Sequence, residues 1–316
     1  MICRICGNDK GNRKHFIKER IINQGTTFEY LECSKCGALM LNENIEDFSQ
    51  WYPKSYNPFR KIEDNTNRWL KIYRKLLVEI LIRLKNPELF QRFLSINNLD
   101  ILLKRLYGSN ISKKDKILDI GCASGYWLDW MYEMGWKRIT GVDLFYPDID
   151  GERKWEFIKG DIFVIKEKYD CIILNHSFEH MEEPLNVLKH IRKLLQKNGI
   201  CIISVPMMGG EAWKMFGTDF CQIDAPRHIF LYTEKSMKYL CEKAGLSIER
   251  ILYDSNEKVF SLSAAYKKYT KSHDELMRND YATKRMKIKY KQLAIESNSD
   301  HNGDQAIFYI KLKKGV

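Results

Sequence analysis

The sequence predicts an α/β chain: a parallel, doubly wound sheet of seven strands behind a small cysteine-bearing module and a helical linker. Three observations carry that expectation. After residue 112, short apolar runs alternate with amphipathic helical stretches. Two of those stretches run into "KNG" (197–199) and "KAG" (243–245), with glycine where a helix is expected to stop. Finally, "KILDIGCASGYWLDWM" (116–131) reads as a strand entering a glycine loop and then a helix.

The first element is the module over residues 1–45. It contains "CRICG" (Cys3, Cys6) and "CSKCG" (Cys33, Cys36), two C-x-x-C pairs each followed by glycine. That spacing brings two thiolates of one tight turn to a single ion about 2.3 Å away, and two pairs complete a tetrahedral set. Gly7 and Gly37 supply the positive φ that such turns favour. The 26 residues between the pairs can form the strands of a zinc ribbon, with Phe16, Ile17, Phe28, Tyr30 and Leu31 as its core. Four sulfur ligands leave no open position, so the predicted Zn2+ is structural. The remaining five cysteines (Cys122, Cys171, Cys201, Cys221, Cys241) stand singly in apolar contexts and read as reduced, mostly buried thiols.

Residues 46–111 form the linker. "WYPKSYNPFRK" (51–61) is aromatic and punctuated by proline, hence loop or short turns. From 65 to 107 apolar residues recur at helical spacing, which predicts two or three helices packing on the next domain, or a lid or dimer surface. The third region, 112–316, carries strands expected at 116–120, 138–142, 156–159, 171–174, 199–205, 247–253 and 306–313. Its helices are expected at 125–134, 183–196 and 234–244.

Composition limits the class. At 44% apolar and 29% charged the chain reads as a soluble globular protein. Its most apolar run, 75–84, is too short to span a bilayer and carries Glu79 and Arg83. The N-terminus lacks a secretory apolar core, which places the protein in the cytoplasm. Net charge is +11, and residues 267–291 hold nine Lys/Arg against three Asp/Glu. Such a segment either attracts an anionic partner or is a solvated lysine-rich helix.

The glycine loop does not suit a dinucleotide. The second glycine of G-x-G-x-x-G is Ala123 here and the third is Tyr126. No Lys-Ser/Thr pair follows, which removes a P-loop. What remains, D-x-G-x-x-x-G over Asp119, Gly121 and Gly125, resembles the first motif of the class I S-adenosylmethionine-dependent methyltransferases. "ITGVDLF", "IKGDIF" and the stretch from "YDCIILNHSFEH" to "CIISVP" resemble later motifs of that family, in order, so the resemblance covers about 116–253. It implies a Rossmann-like sheet binding S-adenosylmethionine. The implied cofactor residues are Asp119, Gly121, Cys122 and Gly125 in the loop and Asp143 and Leu144 at the ribose. Asp161 and Ile162 would meet the adenine, and Asn175 would follow the fourth strand.

Two histidine clusters lie after the fourth and fifth expected strands: His176, Glu179 and His180, then Asp224, Arg227, His228 and Tyr232. The second passage resembles a segment of methyltransferases that modify sugars and other small metabolites, some of which also carry a four-cysteine zinc module. The resemblance implies His228 as a candidate base, and a histidine titrates near neutral pH. His180 is a second candidate, although its E-H-x-x-x-P setting also suits a cap of the next helix. Tyr52 or Tyr56 of the linker is a third. The N/D-P-P-Y pattern of base-amine methyltransferases is absent after the fourth strand. Three functions compete: methylation of a small, possibly anionic molecule such as a sugar, nucleotide-sugar or glycan precursor; methylation of RNA gripped by the ribbon and the basic segment; and binding of S-adenosylmethionine without turnover. The sequence leaves the acceptor atom and the oligomeric state open.

Overall fold

The computed structural model describes residues 1–52, 68–83, 105–146, 153–278 and 281–313. Three strands, β1 (Arg13–Lys18), β2 (Thr27–Glu32) and β3 (Leu39–Leu41), pair antiparallel in the cysteine module. Its core is Ile17, Phe28, Tyr30 and Leu31 as expected, but Phe16 is 64% exposed. Strand alternation explains the difference: with Ile17 turned inward, its neighbour must face water. One two-residue strand, which the sequence did not announce, extends this sheet. It is β9 (Phe230–Leu231), pairing antiparallel with β3 through Leu39↔Leu231 and Met40↔Phe230.

The seven expected strands all form: β4 (Ile117–Ile120), β5 (Ile139–Asp143), β6 (Glu156–Lys159), β7 (Tyr169–Asn175), β8 (Leu195–Pro206), β10 (Leu246–Tyr253) and β11 (Gln305–Leu312). They make one sheet of order β10-β11-β8-β7-β4-β5-β6. β4 pairs parallel with both β5 and β7 (Asp119 opposite Gly141 and Ile173), and β5 pairs parallel with β6. The order reverses at β4, so its carboxyl end and that of β7 flank the switch point where such sheets bind ligands. β4 and β7 are nearly continuous apolar runs because both faces are covered, whereas β6 at the sheet edge is half exposed.

The helices are α1 (Arg68–Arg83), α2 (Tyr126–Met134), α3 (Pro184–Leu194), α4 (Glu211–Phe216), α5 (Glu234–Ala244), α6 (Glu257–Lys268), α7 (His273–Arg278) and α8 (Lys284–Ser299). Gly245 stops α5 in the left-handed conformation, its N–H reaching the carbonyls of Cys241 and Glu242. Gly199 does not stop α3. The helix ends at Leu194, and Gly199 lies within β8, where a Cβ would stand 3.1 Å from the Asp170 carbonyl oxygen. Leu194 and Leu195 are both buried, so the chain enters the sheet there and the glycine serves close strand approach instead. Of the linker helices α1 is described; the rest of that expectation, and Tyr56, fall outside the described residues. No helix among the described residues is long and apolar enough to cross a membrane. The basic segment contains α7 and the start of α8, whose lysines are exposed, while Tyr290, Ala294 and Ser297 are its buried face.

By contact clustering the chain divides into two compact units: one of 1–53, 176–188 and 204–308, the other of 54–175, 189–203 and 309–316. In the second unit the glycine loop is clamped from beneath by Trp155. A Cβ on Gly125 would lie 2.1 Å from the Trp155 ring, and one on Gly141 would lie 2.9 Å from it. Trp155 is itself fixed by a 2.8 Å hydrogen bond from Nε1 to Asp129 of α2. Gly125, at φ +74°, therefore provides the close packing that a dinucleotide loop takes from its third glycine. Gly125→Ala should cost about 2–4 kcal/mol of stability from overpacking and left-handed strain together. Urea denaturation checks this, and a midpoint unchanged from wild type would refute the clamp.

Candidate functional site

The second unit builds a cradle at the carboxyl ends of β4, β5 and β7. The loop after β4 turns through three left-handed residues, Gly121 (φ +74°), Ala123 (φ +48°) and Gly125. Asp143, at the end of β5, organises that loop. Its Oδ2 accepts the Ala123 N–H at 2.8 Å, and its Oδ1 accepts the N–H groups of Phe145 and Tyr146 at 2.9 and 2.7 Å. Oδ2 keeps acceptor capacity for a further donor.

Asp119 is fully buried, and its Oδ1 has no hydrogen-bond partner among the described residues. Burial, and next the charge of Asp143, push its carboxyl up to about 7. Asn175 Oδ1, at the end of β7, is likewise buried and without a partner. Buried polar atoms are normally satisfied, so two bare acceptors at a switch point mark a place for donors. Cys122 is buried beneath the loop and Leu144 is 52% exposed after β5. Asp161 caps the short turn Ile162–Val164, accepting the Phe163 N–H, and Ile162 is buried. The sequence did not reveal that Asp143 and Asp161 spend acceptor capacity on their own loops.

The first unit brings together residues that lie far apart in the chain. Arg227 is completely buried. Its guanidinium donates to Glu19 Oε1 at 2.9 Å, to Asp224 Oδ1 at 2.7 and 3.0 Å, and to the Trp51 carbonyl at 2.9 Å. Glu19 in turn accepts the N–H groups of Ile21, Ile22 and Asn23. Burial opposes the Arg227 charge, yet Asp224 and Glu19 overcome it and keep the guanidinium firmly protonated. The same pairing, against burial, holds Asp224 down to about 2.

Beside this network stand Glu179, His180 and His228. The His228 ring bonds the Gln222 carbonyl through Nδ1 at 2.8 Å, and His180 Nδ1 lies 2.8 Å from the Arg227 carbonyl and 3.0 Å from the Tyr52 hydroxyl. A carbonyl only accepts, so each Nδ1 donates and each Nε2 keeps its lone pair. His180 thus serves this cluster, and its ring holds the loop carrying His228 instead of capping α3. Burial first, then His228, hold His180 down to about 4, so it is neutral. Glu179 is wholly buried; burial raises its carboxyl, but His176, whose Nδ1 stands 3.4 Å from Oε1, and then His228 outweigh that and lower it. Both its oxygens lack a hydrogen-bond partner among the described residues.

The cysteine module supports this cluster. The Tyr30 hydroxyl donates to the His228 carbonyl at 2.8 Å, the Thr233 hydroxyl to the Cys36 carbonyl at 2.5 Å, and Ile229 N–H to the Glu179 carbonyl at 2.8 Å. The four sulfurs lie together, Cys3 to Cys36 at 3.7 Å and Cys6 to Cys33 at 3.6 Å. A tetrahedral ZnS4 centre with bonds of about 2.3 Å has sulfurs about 3.8 Å apart, so the set fits the ion. Gly7 and Gly37 adopt the positive φ expected of both turns.

Comparison with known proteins follows this geometry. Residues 89–251 match a family model described as "Methyltransferase domain". A tRNA U34 carboxymethyltransferase of Sulfurimonas denitrificans is 28% identical over 156 residues, 45% of this chain and 52% of that protein. A ubiquinone biosynthesis O-methyltransferase of Histophilus somni is 26% identical over 116 residues, 32% of this chain and 48% of that protein. The chain thus spans about half the length of the curated relatives it matches. Among solved structures, the complex between the Haloferax volcanii Trm112 methyltransferase activator and a methyltransferase contains a chain with TM-score 0.48 and 13% identity, covering 80% of this chain and 100% of that one. A cyclopropane synthase of Mycobacterium tuberculosis has TM-score 0.42 and 14% identity, covering 78% and 99%.

Removing the guanidinium leaves two carboxylates buried without their cation. Arg227→Met should therefore lower stability by about 3–5 kcal/mol, measured by chemical denaturation. A loss below 1 kcal/mol would show that the network is not the brace described here.

Proposed function

The chain belongs to the methyltransferase-domain family, and from that premise we propose that it transfers the methyl group of S-adenosylmethionine to a small-molecule acceptor. One observation carries the cofactor half. The ends of β4, β5 and β7 offer Asp119 Oδ1, the remaining capacity of Asp143 and Asn175 Oδ1, all acceptors. S-adenosylmethionine presents donors to match: an ammonium, two ribose hydroxyls and an adenine amine, with no phosphate. The cofactor supplies an activated methyl on a sulfonium centre. The protein holds and orients it and excludes water. Gly121, Cys122 and Gly125 shape the cradle, and Leu144, Asp161 and Ile162 are proposed along its rim.

His228 is the proposed base. Its Nε2 lone pair is fixed by the Gln222 carbonyl behind it, and an oxygen acceptor needs its proton removed as the methyl arrives. His180 and Tyr52 position it, and Zn2+ on Cys3, Cys6, Cys33 and Cys36 is proposed as the structural anchor of the strand that holds the His228 carbonyl. The free thiols elsewhere suit a reducing cytoplasm.

A sugar or nucleotide-sugar acceptor remains the reading of the His228 segment. RNA is the second reading. Segment 266–273 packs on the cysteine module, with the Arg20 guanidinium over the Tyr266 ring and His273 N–H on the Arg20 carbonyl. In the second unit, a cavity of about 400 Å3 is lined by Lys116, Lys137, Arg138, Arg153 and Lys154. Both offer cations to phosphates.

Calorimetry should show S-adenosylhomocysteine binding, weakened at least tenfold in Asp143→Asn, which turns an amide N–H2 on backbone donors that need an acceptor. Binding of NAD in its place would end the cofactor reading. A turnover screen should include nucleotide-sugars, phenols and tRNA. His228→Ala should lose about 100-fold or more in turnover with cofactor affinity kept, and intact turnover would exclude the base. Metal analysis should give one tightly held Zn2+ per chain, lost in Cys36→Ser; a zinc-free, fully folded wild type would exclude the ribbon metal.

A further inference from the structure

From Glu179, His180 and His228 we infer a second metal centre: a divalent cation held by one carboxylate and two imidazoles, with open positions for an acceptor oxygen. Each residue offers one ligand atom, and these atoms lie within 4.8 Å of one another. His228 Nε2 stands 3.8 Å from Glu179 Oε1. Around an ion with bonds of about 2.1 Å, donors sit roughly 3.0–3.5 Å apart, so rotamer shifts of about 1 Å close the set.

Two independent features point the same way. Glu179 is wholly buried, and neither oxygen has a hydrogen-bond partner among the described residues; its nearest polar neighbours are His176 Nδ1 at 3.4 Å and His228 Nε2 at 3.8 Å, which leaves a buried carboxylate without a full counter-charge. Both imidazoles are held through Nδ1 by backbone carbonyls. That is how a ligating histidine is oriented, with its second nitrogen presented to the ion.

Two nitrogens and one carboxylate suit Mn2+, Fe2+, Co2+ or Zn2+, and three protein ligands leave room for water or an acceptor hydroxyl. Such an ion would lower the pKa of a bound hydroxyl so that its proton passes to solvent water, taking over from His228 the activation proposed above. The acceptor class thereby narrows to molecules that can lay a hydroxyl, or two neighbouring oxygens, on the ion. The inference rests on the proposed methyl transfer for its purpose, but not for whether the ion binds.

Mn2+ is the probe, because four thiolates are a poor site for it. Titration of the full chain followed by the loss of free Mn2+ paramagnetic resonance should show one ion per chain. Glu179→Gln and His228→Gln should weaken that binding at least tenfold. If a variant fails to fold, pulsed resonance of the wild type decides: nitrogen couplings from two imidazoles support the site, and their absence overturns it. A wild type that takes up no Mn2+ at millimolar concentration, or variants that bind it unchanged, also overturn it. S-adenosylhomocysteine binding in the same samples separates the two ideas. Cofactor bound without Mn2+ sinks only the metal centre, and Mn2+ bound without cofactor sinks only the methyltransferase reading.

Discussion

The Arg227 guanidinium is the brace of the first unit. A fully buried cation survives only where anions and carbonyls surround it, and this one is met by Glu19 from the cysteine module, Asp224 from its own loop and the Trp51 carbonyl. Those contacts fix the loop of residues 224–228 from both sides. His228 follows Arg227 directly, so the charge network fixes the backbone that carries it, while the Gln222 carbonyl on Nδ1 sets the direction of its ring. The cysteine module adds the Tyr30 and Thr233 hydroxyl bonds and the pairing of β9 with β3. The four-cysteine turns are thereby linked to the histidines through strand and carbonyl.

Asp143 plays the corresponding part in the second unit. Three backbone N–H groups converge on its carboxylate, one from the glycine loop and two from the turn after β5. The loop would otherwise leave those donors buried and unpaired. The carboxylate that the sequence suggests for a ribose is thus a fastener of its own loop. Its charge also raises Asp119, through burial and repulsion, so the two carboxyls at the cradle are not equivalent. The cradle is prepared by the protein before any cofactor enters, which is the condition for binding without a large ordering cost.

Much of this was legible in the residues. All seven strands of the large sheet appear where the sequence predicted them; the central β4, β5 and β7 are the plainest, because a strand buried on both faces must be largely apolar. The two C-x-x-C-G turns announced the four-sulfur cluster, since the spacing within each turn is local. Gly245 stopped its helix as glycine does. Gly199 did not stop α3, because a glycine's signal is ambiguous between a helix end and a close strand contact, and Leu194 and Leu195 decided by burial. Phe16 was assigned to a core that the alternation of β1 denied it. β9 was missed because two residues carry no periodicity.

The sequence by itself determined the elements, the sheet and the local chemistry: the loop Asp119–Gly125, the sulfur set, and the histidines near the ends of strands. These rest on short-range rules, a period of two or 3.6 and the turn geometry of glycine. Only the tertiary structure decided that Glu19 and Arg227 are partners, that Tyr30 holds the backbone of His228, and that Glu179, His180 and His228 share one buried space. Each of those pairs is separated by tens to hundreds of residues or depends on which face is covered. Contacts of that kind leave no trace in local pattern, because burial and charge pairing are settled by the packed chain as a whole.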